Sequence, residues 1–393
     1  MRLPLRLAPV AAALLALAGL ACSETTTGGG DPPATPQNLI YRVEASGEPD
    51  LPAGVLLSWD DVPDANLESY RIYSRGGTGS AFGLRGVTTS NTFHDNGVPH
   101  LEYFVTAVDT DGDESNGSNV VRIDEFLDLE RPADLSGTSL NRAIHLLWTD
   151  NAFLTDPARF DWYRVYSASY ERGQNLCGAD WALEGTTVAP EFLVGALPNG
   201  VPRCYGVSAV SRRGYESLWS PLWQDTPRPD ARNLIIFAFD DSAEASGFRF
   251  WQDLDNDGQL DDAELGLVVD GNRTDIDFWI YRDPADSSLW FQPEFTGTTM
   301  QVYGAVGDLT DIDLAPSGGY GSGPVEAVPG YGYVFRIAEP SGTRYAGIRV
   351  THVGRRYLLF DWSLQTDPDN PELIVRAGLP TVILSGTGVP GSQ

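Results

Sequence analysis

One pattern of segments occurs twice in this chain, and it limits the fold more than any other feature. The first copy runs Val55-Leu56-Leu57-Ser58-Trp59, then Tyr70-Arg71-Ile72-Tyr73, then Tyr103-Phe104-Val105-Thr106-Ala107-Val108. The second runs Ile144-His145-Leu146-Leu147-Trp148, then Tyr163-Arg164-Val165-Tyr166, then Tyr205-Gly206-Val207-Ser208-Ala209-Val210. A matching turn follows each third segment, Gly112-Asp113-Glu114-Ser115 and Gly214-Tyr215-Glu216-Ser217. In an extended chain alternate side chains share a face, so Val55, Leu57 and Trp59 point one way, as do Ile144, Leu146 and Trp148. The opposite faces carry Leu56 and Ser58, or His145 and Leu147. The spacing therefore predicts two copies of one strand-built unit.

The repeat strongly resembles the fibronectin type III domain, with boundaries at about 37–126 and 130–226. The family landmarks are present in both copies: a core tryptophan on strand B, paired tyrosines on strand C and a tyrosine opening strand F. The resemblance implies two Ig-like sandwiches in which Tyr103 and Tyr205 bury their rings. Each hydroxyl should then reach a backbone partner near the corner between strands E and F.

Asp225-Thr226-Pro227-Arg228-Pro229-Asp230 reads as a linker, and residues 231–386 as a third domain before a tail at 387–393. Its strand candidates are Leu234–Phe239, Gly247–Trp251, Phe278–Tyr281, Leu289–Gln292, Tyr331–Ile337, Tyr345–His352 and Tyr357–Trp362. Short apolar runs between Gly, Pro and Asp turns predict an antiparallel sandwich or barrel. Gly318-Gly319-Tyr320-Gly321-Ser322-Gly323 reads as a flexible loop. The fold class is thus all-β: two fibronectin type III sandwiches followed by a third antiparallel β domain.

Within the third domain, Asp253-Leu-Asp-Asn-Asp-Gly-Gln-Leu-Asp-Asp-Ala-Glu264 is the one stretch whose spacing specifies a chemistry. Oxygen ligands fall at loop positions one (Asp253), three (Asp255), five (Asp257), nine (Asp261) and twelve (Glu264). Gly258 stands at the sharp turn, and Gln259 offers a backbone carbonyl. The pattern resembles the calcium loop of EF-hand and dockerin-type repeats. The flanking Gly247-Phe248-Arg249-Phe250-Trp251 alternates like a strand, so an EF-like loop inside a β domain is expected. The ion, Ca2+, would act as a structural clip. The alternative is a solvated acidic turn. Asp109, Asp111 and Asp113 also alternate, but lack the glycine and the closing glutamate of such a loop.

Residues 1–21 read as an export signal, with Arg2 and Arg6 ahead of an apolar run too short to span a bilayer well. The run ends Ala18-Gly19-Leu20-Ala21-Cys22 and resembles the bacterial lipobox. That resemblance implies a diacylated Cys22 as the mature N-terminus and, with Ser23 after it, the outer membrane, facing the periplasm or the exterior. The lipid would supply durable membrane attachment. The alternative is an ordinary secretory signal cut near Ala21. Residues 22–36 then form a flexible tether. In an oxidising compartment Cys177 and Cys204 are expected to form a disulfide, with a metal pair or a redox pair as alternatives.

Lysine and arginine total 26 against 54 acidic residues, for a net charge of −28. That balance disfavours nucleic acid as a partner and suits divalent cations. His94, His100, His145 and His352 are scattered, and no Gly-x-Ser-x-Gly occurs, so no shared catalytic centre is legible. The expected function is a non-catalytic, lipid-anchored cell-envelope protein, its fibronectin modules spacing out a terminal domain that binds a protein or glycan ligand. One alternative is a carbohydrate-binding or glycan-processing accessory protein with Trp251, Trp279 or Trp290 as platform, although such tryptophans are expected in the core more often than outside it. Another is a haem-binding lipoprotein: Tyr345–Val350, Tyr357–Thr366 and Asp275–Phe278 resemble HmuY-type proteins. Haem capture in that family uses paired histidines, and here His352 and Met300 are the candidates.

Overall fold

The computed structural model describes residues 31–44, 54–258, 260–373 and, for backbone alone, 381–382. The first unit has seven strands: β1 (Ile40–Glu44), β2 (Gly54–Ser58), β3 (Leu67–Arg75), β4 (Gly83–Thr88), β5 (Thr92–Asp95), β6 (Glu102–Asp109) and β7 (Val121–Arg122). They pair as β1-β2-β5 and β4-β3-β6-β7, two antiparallel sheets packed face to face.

The second unit repeats the plan. It has β8 (Ala133–Leu140), β9 (Ala143–Thr149), the short helix α1 (Asn151–Thr155), β10 (Phe160–Glu171), β11 (Leu176–Cys177), β12 (Ala182–Thr187), β13 (Glu191–Val194), β14 (Arg203–Ser211) and β15 (Trp223–Asp225). One sheet is β13-β9-β8; in the other β10 lies between β14 and β12, with β15 beyond β14. Three strands face a sheet that repeats the four of the first unit and is extended by β11, which pairs with the far end of β10.

The alternation seen in the sequence is the alternation of burial. Val55, Leu57 and Trp59 are buried, as are Ile144, Leu146 and Trp148. Trp59 meets Tyr70 edge to face at 5.2 Å, and Trp148 meets Tyr163 in the same way at 5.3 Å. Even a glycine recurs for the same steric reason: a Cβ on Gly86 or on Gly185 would lie 2.6 Å from the ring of Phe93 or Phe192. The matching turns have a role that their sequence did not disclose. Glu114 accepts hydrogen bonds from Arg71, Tyr73 and Thr106. Glu216 accepts the equivalent set from Arg164, Tyr166 and Ser208.

The third unit comprises β16 (Asp230–Phe237), β17 (Gly247–Trp251), β18 (Leu265–Val269), β19 (Phe278–Arg282), β20 (Leu289–Pro293), β21 (Thr298–Ala305), β22 (Val325–Glu326), β23 (Tyr331–Glu339), β24 (Gly342–Val353) and β25 (Tyr357–Leu364). Two five-stranded sheets, β16-β25-β24-β23-β21 and β18-β17-β19-β20-β22, make it a sandwich. Its core is aromatic: Phe248, Phe250, Phe278, Phe291, Phe335 and Phe360 are all buried within one cluster. β21 escaped the sequence reading because Thr298-Thr299 and Gly304 dilute its apolar signal. The glycine-rich segment is docked: Gly321 exchanges two backbone hydrogen bonds with Met300.

The joints between units are packed. Leu218 of the second unit lies against the first core, and Val98 of the first lies against the cluster holding Trp181 and Trp219. Residues 225–229 of the linker are buried rather than loose. Arg228 is 1% exposed and donates from Nε to the Leu373 carbonyl of the third unit. Arg172 reaches across to Asp367 and to the carbonyls of Pro368 and Asp369. The backbone of β26 (Thr381–Val382) pairs in parallel with β11.

Candidate functional site

The acidic loop joins β17 to β18, whose ends are held together by the pairing of Trp251 with Leu265. Its strand entry and its single turn of 3-10 helix at Asp262–Glu264 make it a β-framed loop rather than a helix-loop-helix. Oxygens of Asp253, Asp255 and Asp257 lie within 4.8 Å of one another. Gly258 has φ +77° and its N–H donates to Asp253 at 3.1 Å, which folds the turn over the first carboxylate. Asp255 is pushed above the usual carboxylate range. The N–H of Asp257 opposes this, but desolvation and the charges of Asp257, Glu264 and Asp253 prevail.

The other two predicted ligands are differently engaged. Asp261 and Glu264 form a reciprocal capping box at the 3-10 turn. The buried Glu264 carboxylate accepts from the N–H groups of Leu254 and Asp261. Gln259 lies outside the described residues, as does Cys22. The donor set fits a hard cation: it is all oxygen and all anionic, and Asp253 Oδ1 is buried without a protein partner. The loop also borders the joint. Asp262 lies 3.6 Å from Arg142 of the second unit, and Leu260–Asp262 help line a cavity of about 510 Å3 with Asn199 and Thr366–Pro368.

Cys177 and Cys204 are bonded, with Cα atoms 5.8 Å apart, as expected from the sequence, which removes the metal-pair reading. Asp109 accepts from the N–H groups of Asp111 and Asp113, so that acidic run is a self-bonded turn. The two corner tyrosines part company. The Tyr103 hydroxyl donates to Asp95 at 2.7 Å and accepts from the N–H of His100, a side-chain partner as well as the predicted backbone one. The Tyr205 hydroxyl is buried with no partner, contrary to expectation. Met300 is buried in the core while His352 is exposed beside Tyr357, so the two do not form a haem ligand pair.

The tryptophans also depart from expectation. The core phenylalanines of β17, β19 and β20 claim the inward positions, so period two sends Trp251, Trp279 and Trp290 outward. All three are half-buried. Trp279 packs against Phe239 and Tyr281, and Tyr281 is paired across strands with Trp290. Trp251 stands at the strand end. Its Nε1 donates to Glu339 at 2.6 Å, and the Arg344 guanidinium lies 4.7 Å from its ring centre.

Among solved structures, the chain is similar to the fibronectin type-III domain of human fibronectin type III domain containing protein 3. The identity is 18%, covering 25% of this chain and 89% of that one, with a TM-score of 0.19. It is also similar to the FN1-FN3 domains of chicken CNTN1 at 14% identity, covering 84% and 94%, with a TM-score of 0.24. At these scores neither likeness adds to what strand order and register already say. No protein-family model and no curated protein matches the chain. By its own strand pairing, the chain is an all-β protein of two fibronectin type III-like, Ig-like sandwiches followed by a third antiparallel sandwich.

Proposed function

We propose that this is a non-catalytic cell-envelope binding protein, held to the outer membrane through a lipid on Cys22, in which two fibronectin-type modules space out a third, ligand-binding domain. The observation behind this reading is how side-chain chemistry is divided. The residues shared by the two copies are tied up in packing and in the Glu114 and Glu216 networks. The acidic loop and the three outward indoles belong to the third unit alone. The packed joints support a spacer that also fixes the orientation of what it carries. The outward tryptophans favour a glycan over a protein as ligand, which gives the carbohydrate-binding alternative weight.

In this reading Asp253, Asp255, Asp257, Asp261, Glu264 and the Gln259 carbonyl would hold a structural Ca2+. The ion stabilises the third domain by mass action, with loop carboxylates as the coupling. Calorimetry with calcium and then with chelator should move the melting of the third domain. No shift in the parent, and none between the parent and Asp253→Ala, would remove the ion from the account.

The function is tested by binding to cells and glycans. Deleting residues 231–386 should abolish binding, and deleting 37–126 should leave affinity nearly unchanged. Cys22→Ala should move the protein out of the salt-washed membrane fraction. Full binding by the two fibronectin-type modules alone, or turnover of a polysaccharide by purified protein, overturns the assignment.

A further inference from the structure

We propose that the third sandwich binds a single neutral sugar ring in a cleft at its end nearest the second unit. The proposal rests on the third domain being the binding unit and says where in it, and for what chemistry, binding occurs. The cleft measures about 290 Å3 and is lined by Arg249, Trp251, Asp277, Phe295, Glu339 and Ser341, among others. Ligand sites begin at about 300 Å3, so the space suits one ring rather than a chain. Its rim includes the β23–β24 turn. Thr343, the second residue of β24, donates its N–H to the Asp369 carboxylate, and the Asp369 carbonyl accepts from Arg172 of the second unit.

The walls are rigid and their polar groups are preset. Trp251 is pinned by its bond to Glu339 and by the Arg344 guanidinium over its ring. Arg344 also donates to the other Glu339 oxygen at 3.0 Å. Arg249 donates from Nε to the Trp251 carbonyl at 2.8 Å and lies over Phe295 at 5.7 Å. Asp277 is 4% exposed, and its oxygens accept from the N–H of Phe250 and the hydroxyl of Thr298. Burial pushes its carboxyl up to about 6.

Three features select the ligand. First, the lining sets one guanidinium, Arg249, beside two carboxylates, Asp277 and Glu339, and Glu339 is already engaged by Arg344 from outside the cleft. An anionic guest would face two carboxylates that it could not match. Second, donors (Arg249, Ser341) and acceptors (Asp277, Glu339) stand side by side, and each carboxylate oxygen retains a second lone pair. A hydrocarbon guest would use none of these groups. Third, the rings of Trp251 and Phe295, each with a guanidinium over it, line the same cleft, and the aromatic surface they leave uncovered suits polarised C–H bonds. A pyranose has this amphipathic surface: a C–H face and an equatorial belt of hydroxyls. The outer indoles are less suited, because Phe239 and Tyr281 meet Trp279 at 62° and 45° and form no common plane.

The test uses the full chain and saturation-transfer NMR with the methyl pyranosides of glucose, mannose and galactose. Hexanoate and benzamidine serve as charged controls. At least one glycoside should bind. Trp251→Ala and Ser341→Trp should each weaken it tenfold or more, while Trp279→Ala leaves it unchanged. Ser341 is an exposed turn residue, so Ser341→Trp fills the mouth without disturbing the core, and unchanged melting verifies this. The proposal is overturned if no glycoside binds, if Ser341→Trp binds like the parent, if Trp279→Ala removes binding, or if a charged control binds in preference. The broader reading is separated by the cell and glycan assay. Binding that survives Ser341→Trp but is lost on deleting 231–386 refutes the cleft alone; binding that survives the deletion refutes the broader reading.

Discussion

In the first sandwich the Tyr103 hydroxyl sits between Asp95 and the backbone of His100, and Asp95 is itself paired with an Arg85 side chain only 2% exposed. In the second, Tyr205 opens the equivalent strand and its buried hydroxyl has no partner. What the second unit has instead is next to it in sequence: Cys204, bonded to Cys177. Other landmarks correspond between the two units, among them the Trp–Tyr ring pairs and the Glu114 and Glu216 networks. The comparison teaches that the shared core specifies the sandwich, while the end of the sandwich can be closed in two ways. A buried ionic network closes one and a covalent bond closes the other. The covalent solution tolerates an orphaned hydroxyl, because the bond constrains the unfolded chain whatever the native hydrogen bonds do.

The largest expected effect tests the equivalence itself. Trp59→Ala and Trp148→Ala should each cost about 3–5 kcal/mol, measured by denaturant unfolding. Similar surroundings predict similar costs, so a gap much beyond about 1 kcal/mol would break the equivalence. Next comes the covalent bond. Replacing Cys177 and Cys204 together by Ala opens a loop with a sequence separation of 27 and should cost about 3 kcal/mol. The loss should be confined to the second unit, and a matching loss in the first would mean that the two unfold as one. The smallest effects sharpen the contrast at the corner. Tyr103→Phe removes a hydrogen bond to a carboxylate and should cost about 1.5–3 kcal/mol. Tyr205→Phe removes a hydroxyl that bonds nothing and should lie within about 0.5 kcal/mol of the parent. Equal costs for the two would mean that the Tyr205 hydroxyl is satisfied after all.

Much of the third unit was legible for the same reason as the first two. Phe248, Phe250, Phe278, Phe291 and Phe360 stand at alternating positions in short apolar runs, and most predicted strands exist close to their predicted ends. The acidic loop was legible as spacing: three of its carboxylates do converge. Their engagement was not, because Asp261 and Glu264 can cap a helical turn as readily as they can ligate. Nor was the partner of Arg85, since the ion pair depends on β4 and β5 approaching across a corner.

The sequence by itself determined what local geometry encodes. Period two placed side chains on alternate faces, a repeat marked two equal units, and twelve residues spelled out an oxygen-rich turn. The tertiary structure alone decided what each face meets. Alternation says that Trp279 and Ile280 point apart, but not which of them will be covered. It gives no sign that linker residues 225–229 become interior, since Asp, Thr, Pro and Arg are ordinary surface residues until another domain closes over them. Burial is a relation between distant segments, fixed only when they pack, whereas the spacing of side chains along a strand is fixed by the backbone itself.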